Sequence, residues 1–183
     1  LAPEHPWPAA PDDCEVAARW LVENATAQFG TDRLVLVGFS AGSTLAMTTL
    51  LRLRETGLAD RFRGAALHFG TYDLSSTTPA GRLIADEYFL EAYVGHVVDR
   101  TLPDISPLFG TLSGLPPMTL VVGSEDVLLD DNTAMAQQLS RAGNDVDLRV
   151  YPASPHGFTH HATSMAAVAR HDISAWLAER LTA

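Results

Sequence analysis

Ser40, Asp126 and His156 are the residues of this chain whose types and order could do covalent chemistry. A serine hydroxyl is a weak nucleophile near neutral pH. It needs a base to take its proton, and the base needs an acid to orient its ring. Ser40 lies in the pentapeptide Gly38-Phe39-Ser40-Ala41-Gly42. The apolar run Leu34-Val35-Leu36-Val37 precedes it, and a helical pattern from Thr44 to Leu53 follows. Strand, G-x-S-x-G, helix is the context of a nucleophile elbow, in which a sharp turn pushes the serine hydroxyl out at the strand's C-terminal end. Glycines two before and two after the serine are expected to let backbone pack close. The N–H groups of the helix that starts there point at developing negative charge.

Asp126 and His156 follow in chain order. Asp126 ends Gly123-Ser124-Glu125-Asp126, directly after the apolar run Met118 to Val122. Glu125, Asp130 and Asp131 compete with it for the role of orienting acid, and Asp130 and Asp131 also suit a helix start. His156 sits in Ser154-Pro155-His156-Gly157-Phe158, past the last strand-like run. Three loops at the C-terminal edge of one parallel sheet would bring these residues together, which is where open α/β sheets place their sites. His160 and His161 are neighbours of His156, but no cysteine or glutamate completes a zinc pattern, so no metal is expected. His68 lies in a buried run and reads as a hydrogen-bonded core histidine.

The elements that must position these residues alternate. Residues 1–11 hold four of the eleven prolines and read as an extended loop. Asp12 or Asp13 is expected to cap a helix to about Phe29, with Val16, Trp20 and Leu21 on its inner face and Gly30 as its stop. Strands are expected at 33–38, 64–69, 118–122 and 146–151. Past Arg33 the first is a continuous apolar run, as in a strand covered on both faces. Helices are expected to Glu55, from Asp131 to Ala142, and from Ser164 to Leu181, the last with Val168, Ile173, Trp176 and Leu177 inward. The segment 71–113 lacks strong period, holds helical pieces such as Arg82 to Val94, and suits a cap over a site. Strand and helix alternating four times indicate an α/β fold with a parallel sheet in that strand order.

Composition narrows the partners. The 183 residues suit one domain with a full core. A net charge of −10 disfavours nucleic acid and anionic membrane. Cys14 is the single cysteine, so no internal disulfide can form. No run reaches the roughly 20 apolar residues of a membrane span. No signal peptide is visible, which reads as a cytoplasmic protein. The sequon Asn24-Ala25-Thr26 falls inside the first helix and reads as incidental.

Five motifs carry a family resemblance: Leu1-Ala2-Pro3-Glu4-His5-Pro6-Trp7-Pro8-Ala9-Ala10, Gly38-Phe39-Ser40-Ala41-Gly42, Leu115-Pro116-Pro117, Asp126-Val127-Leu128-Leu129-Asp130-Asp131 and His156-Gly157-Phe158. In that order they resemble the hormone-sensitive-lipase-like bacterial esterases of the α/β-hydrolase fold, over essentially the whole chain. The resemblance implies hydrolysis of small carboxylic esters of short acyl chains without a cofactor. Ser40 would be the nucleophile, His156 the general base and acid, and Asp126 its orienting partner, with 71–113 over the acyl or alcohol pocket. Other chemistry on the same fold (peptidase, lactone or polyester hydrolase), a non-catalytic ligand-binding member and an inactive fragment are the alternatives. Phe39 stands where many members carry an acidic residue, and Ser43 where glycine is frequent. Members also carry an upstream His-Gly-Gly loop that supplies oxyanion donors. No such sequence occurs here, which leaves the backbone N–H of Ala41. The chain therefore reads as the C-terminal two-thirds of the full fold, with the outer edge of strand 33–38 open and a homodimer as one way to cover it.

Overall fold

The computed structural model describes residues 1–182. Four parallel strands form its sheet: β1 (Leu34–Phe39), β2 (Phe62–His68), β3 (Met118–Gly123) and β4 (Val146–Tyr151), in the spatial order β1-β2-β3-β4. This is the expected order and direction. Register pairs Gly38 with Leu67 and Phe39 with His68 across β1 and β2. It pairs Gly123 with Tyr151 across β3 and β4. The ends of β1 and β2 are thus level with each other, as are those of β3 and β4, which run two residues further.

Helices cover both faces of the sheet. α2 (Ala41–Glu55) and α5 (Leu129–Arg141) bury Met47, Leu50, Met135 and Leu139 against Ala65, Leu67, Met118 and Leu120. α6 (Ser164–Thr182) buries Ala169, Ile173 and Trp176 against Ala66 and Val121 on the other face. The alternation of Ala65, Ala66 and Leu67 between the two cores is the period-two signature of a strand. α1 (Ala9–Phe29) lies outside, against α2. The segment after β2 holds two short helices, α3 (Pro79–Arg82) and α4 (Tyr88–Val94). α4 and the loops around it build a third cluster of Leu74, Ile84, Leu90, Val94, Ile105 and Leu128, with Trp7 and Tyr93 packed on it. Leu128 ties that cluster to the start of α5.

Several expectations need correction. The loop at 1–11 is shorter than expected, because α1 begins at Ala9. Its N-cap is Pro8, and neither Asp12 nor Asp13 caps it. Asp12 sits in the first turn and pairs with Arg52 at 2.8 Å. Its buried residues are Pro11, Ala18 and Ala25, whereas Val16 and Trp20 are exposed. The helix docks on α2 through small side chains that permit close approach, so its bulkiest residues face outward, where Trp20 meets Phe29 edge-on. Val168 of α6 is likewise exposed. β1 is not covered on both faces: Val37 and Phe39 remain 43% and 40% exposed. Its apolar sequence is that of a central strand, yet among the described residues it pairs only with β2.

Candidate active site

Ser40 has φ 52° and ψ −120°, a region that a non-glycine residue enters only under constraint. The surroundings impose it. The Ser40 N–H donates to the carbonyl of His68 at 2.9 Å, and the Ser43 hydroxyl donates to the same carbonyl at 3.0 Å. The Ser43 N–H returns to the Ser40 carbonyl at 2.9 Å. The strand end and the first helical turn are pinned together at one point. Gly38 is obligatory here, because a Cβ on it would overlap the carbonyl of Gly42. At Gly42 the expected close packing is absent: a Cβ there would meet no atom within 4 Å.

His156 and Asp126 are set by two interlocked loops. After β3, the Ser124 N–H donates to the Tyr151 carbonyl at 2.8 Å, and the Glu125 N–H to the Ser154 carbonyl at 3.1 Å. The Ser124 hydroxyl accepts from the Ala153 N–H at 2.9 Å. A Cβ on Gly123 would overlap the Ser154 carbonyl, so the loops close only over a glycine. His156 emerges from the second loop, and Gly157 at φ 74° turns the chain behind it.

The three side chains converge. His156 Nε2 lies 3.0 Å from Ser40 Oγ, and His156 Nδ1 lies 3.1 and 3.0 Å from Asp126 Oδ1 and Oδ2. The Asp126 side chain is buried, and its Oδ1 also accepts from the Leu128 N–H at 2.9 Å. The imidazole is held from the side by Phe69, edge-on at 5.0 Å between ring centres. A buried carboxylate gripping Nδ1 leaves Nε2 as the nitrogen that faces the serine.

The other residues singled out from the sequence go elsewhere. Glu125 and Asp130 are exposed. Asp131 is buried and accepts the N–H groups of Tyr72 at 2.5 Å and Asp73 at 3.3 Å. Burial pushes its carboxyl up to about 6 against those two stabilising bonds. His160 lies 5.0 Å from the Phe39 ring, and among the described residues no group of three potential ligands could hold a metal. His68 is buried as expected, but neither ring nitrogen has a partner. Its pKa is lowered to about 4, first by burial and then by His160. The register of β1 and β2 is the reason: it places Phe39, an aromatic ring without an acceptor, edge-on to the imidazole at 4.3 Å.

Two supporting residues escaped the sequence reading. Asn132 clamps Gly70 from both sides, accepting its N–H at 3.2 Å and donating to its carbonyl at 2.8 Å. The Thr44 hydroxyl donates to the Thr71 carbonyl at 2.6 Å. Asn132 lies on the apolar stripe of Asn132, Met135, Ala136 and Leu139, all buried. An asparagine at the i position of an i, i+3, i+4, i+7 apolar stripe is the signal that could have found it.

Beside the elbow opens a largely apolar cavity of about 360 Å³, whose walls include Ala41, Leu45, Leu74, Phe89 and Tyr93. Ala41, at the first position of α2, presents its N–H at the helix end, where intrahelical partners are lacking.

Comparison with known proteins places this geometry. The family described as alpha/beta hydrolase fold matches residues 1–160. The chain is 33% identical to a carboxylesterase of Mycobacterium tuberculosis, over 92% of its own length and 57% of that protein. It is 34% identical to an ethyl acetate hydrolase of Pseudomonas putida, over 86% and 53%. It superposes on a hormone-sensitive lipase from a metagenome library with a TM-score of 0.87 at 36% identity, covering 99% of this chain and 63% of that one. The chain thus spans little more than half the length of the curated relatives it matches. With its sheet order, its elbow and these relatives, the chain belongs to the alpha/beta hydrolase fold family, where it is most like the hormone-sensitive-lipase-like bacterial esterases.

Proposed function

We propose that this chain carries the catalytic machinery of a serine carboxylic-ester hydrolase acting on small esters of short acyl chains. The observation that carries the reading is the unbroken series of contacts Ser40 Oγ, His156 Nε2, His156 Nδ1 and Asp126, with spacings near 3.0 Å. In acylation, Ser40 Oγ attacks the ester carbonyl carbon while His156 Nε2 takes its proton. The tetrahedral oxyanion lies against the N–H of Ala41. Collapse breaks the bond to the alcohol oxygen, which leaves with the proton from His156. Water then repeats the sequence on the acyl group: His156 takes its proton, the carboxylate is released, and Ser40 regains its hydrogen. Asp126 holds the imidazole and stabilises its cation throughout. No step requires a cofactor.

The apolar cavity next to Ala41 supports an acyl or alcohol chain as the group bound, and residues 71–113, which supply Leu74, Phe89 and Tyr93 to it, act as its cap. Relatives named ethyl acetate hydrolase and acetyl-hydrolase support short acyl groups. The 183 residues contain no His-Gly-Gly, and each missing oxyanion donor typically costs about 10²–10³ in rate. Hydrolysis of p-nitrophenyl acetate is the test. The chain should be slower than a longer chain bearing a His-Gly-Gly loop by at least about 10²-fold. Equal rates would show that the donors come from elsewhere. The open outer edge of β1 supports a homodimer as the arrangement that covers it. No helix among the described residues is long and apolar enough to cross a membrane.

A further inference from the structure

The loop after β2 opens on a strained residue. Phe69 has φ 40°, in the left-handed region where a side chain's Cβ crowds the backbone. Such conformations persist only where the surroundings over-determine them. They do so here. The Phe69 N–H donates to the Val121 carbonyl of β3 at 2.6 Å. Asn132 of α5 holds Gly70 by both its N–H and its carbonyl. Asp131 accepts the N–H of Tyr72 at 2.5 Å. A glycine would take this turn without strain, so the ring is the part of Phe69 that the strain serves. That ring is buried and meets His156 edge-on, with centres 5.0 Å apart and planes at 69°. Phe158 at 6.3 Å and Phe39 at 6.1 Å pack on the same ring. Among the described residues no other aromatic ring flanks His156, whose side chain is 40% exposed.

The hold of Asp126 leaves one motion open. Nδ1 lies 3.1 and 3.0 Å from the two carboxylate oxygens, so a single N–H is shared between both. That contact fixes where Nδ1 sits and lets the ring turn about it. A turn carries Nε2 off Ser40 Oγ, and a misplacement of about 1 Å can cost about 10²-fold in rate. A fixed wall on the flank of the imidazole prevents it. We propose that Phe69 is a positioning residue for the general base: its clamped, strained backbone holds the ring against His156 and keeps Nε2 on Ser40. The inference rests on the reading of Ser40, His156 and Asp126 as a working triad. The clamp originates at the start of α5. Asp126 accepts the Leu128 N–H through Oδ1 and the Leu129 N–H through its carbonyl, and the Asn132 N–H donates to the Leu128 carbonyl at 3.0 Å. One helix start thus grips the imidazole twice, at Nδ1 through Asp126 and on its flank through Asn132, Gly70 and Phe69. Phe69 is not among the walls of the apolar cavity beside Ala41, so it acts through His156 and not on the substrate.

The test is Phe69→Leu, which keeps an apolar side chain but removes the flat ring. Hydrolysis of p-nitrophenyl acetate is measured per active site, with sites counted by the p-nitrophenol released when a p-nitrophenyl phosphonate ester reacts once with Ser40. The expected result is a kcat lower by about 10- to 100-fold with KM unchanged, because acylation and deacylation use the same base. The Nδ1 proton of His156, followed by NMR, should exchange with water faster than in the parent. A residue that only filled the core would change the number of active sites and neither of these readouts. The parent alone supplies a second measurement that does not depend on the variant's folding: a nuclear Overhauser contact between the Phe69 ring and the His156 imidazole. Its absence overturns the proposal. So does a parental kcat per site in Phe69→Leu, or a lowered kcat with unchanged Nδ1 exchange, since the ring would then act otherwise than by holding the imidazole. Ser40→Ala separates the two levels. Hydrolysis that survives Ser40→Ala removes the triad reading itself; hydrolysis lost in Ser40→Ala but parental in Phe69→Leu removes only the role of Phe69.

Discussion

At the scale of single residues, the triad and the elbow respond differently to substitution. Ser40→Ala should reduce ester hydrolysis at least about 10³-fold, with the apolar cavity and its affinity for a non-hydrolysable ester analogue intact. Asp126→Asn keeps the shape but presents an N–H where Nδ1 needs an acceptor, so turnover should drop by about 10³–10⁴-fold. Both are read from p-nitrophenyl acetate kinetics, and an unchanged rate in either would remove that residue from the mechanism. Ser40→Ala should also stabilise the fold slightly or leave it unchanged, since alanine tolerates the strained backbone no better but leaves no hydroxyl to place. Gly38→Ala acts on the fold itself. Its Cβ meets backbone rather than a movable side chain. A loss of more than about 3 kcal/mol in a denaturant midpoint analysis is expected, with activity lost in proportion.

At the scale of elements, α5 is the hub that fixes the other loops. Its first turns carry Asp131 and Asn132 into the loop after β2, and that loop holds Phe69 against His156. Asn132→Leu would leave the N–H and carbonyl of Gly70 without the side chain that pairs them. A destabilisation of about 2–4 kcal/mol is expected, on the ordinary cost of two stranded buried groups. Asp131 and His68 should impose opposite pH dependences. Asp131, raised in the fold from 3.8 to about 6, binds its proton more tightly folded than unfolded. Stability from this residue therefore falls as pH rises from about 4 to about 6, by about 3 kcal/mol at most. His68, lowered from 6.5 to about 4, binds its proton more tightly unfolded. Stability from this residue rises over pH 4 to 6.5 by a similar amount. Urea unfolding between pH 4 and 7 checks both. Asp131→Asn should make the profile rise more steeply with pH, and His68→Phe should make it flatter. The same change in slope from both variants would contradict this assignment.

At the scale of the whole molecule, β1 is the strand whose pairing is open to test, since among the described residues it pairs only with β2. Val37 and Phe39 leave an apolar, hydrogen-bonding edge open to a second chain. Self-association that grows with concentration is expected in sedimentation velocity, and Val37→Lys should weaken it, because a lysine on an edge strand resists pairing. A monomer at all concentrations with an unprotected β1 in hydrogen exchange would argue against association through this edge.

Much of this protein was legible in its residues. The apolar runs Leu34 to Val37, Ala65 to Leu67 and Met118 to Val122 marked three of the strands, because a buried parallel strand has little choice but Val, Leu, Ile and Ala, and the alternation Val146, Leu148, Val150 marked the fourth. The turn chemistry at Gly38, Gly123 and Gly157 located the three loops, because each turn tolerates little else. Ser40, Asp126 and His156 were named from order and context alone, since strands that run parallel must deliver their following loops to one edge. What the chain folds into decided the rest. Whether Val16 and Trp20 lie in or out depends on how closely α1 approaches α2, which alanines set. The orphaned His68 depends on the register of β1 against β2, which sets Phe39 beside it. The clamp at Asn132 exists only because α5 returns to the loop after β2. Local pattern determines what each segment becomes; only the distance between segments far apart in sequence determines which polar groups find a partner, and the two ring nitrogens of His68 do not.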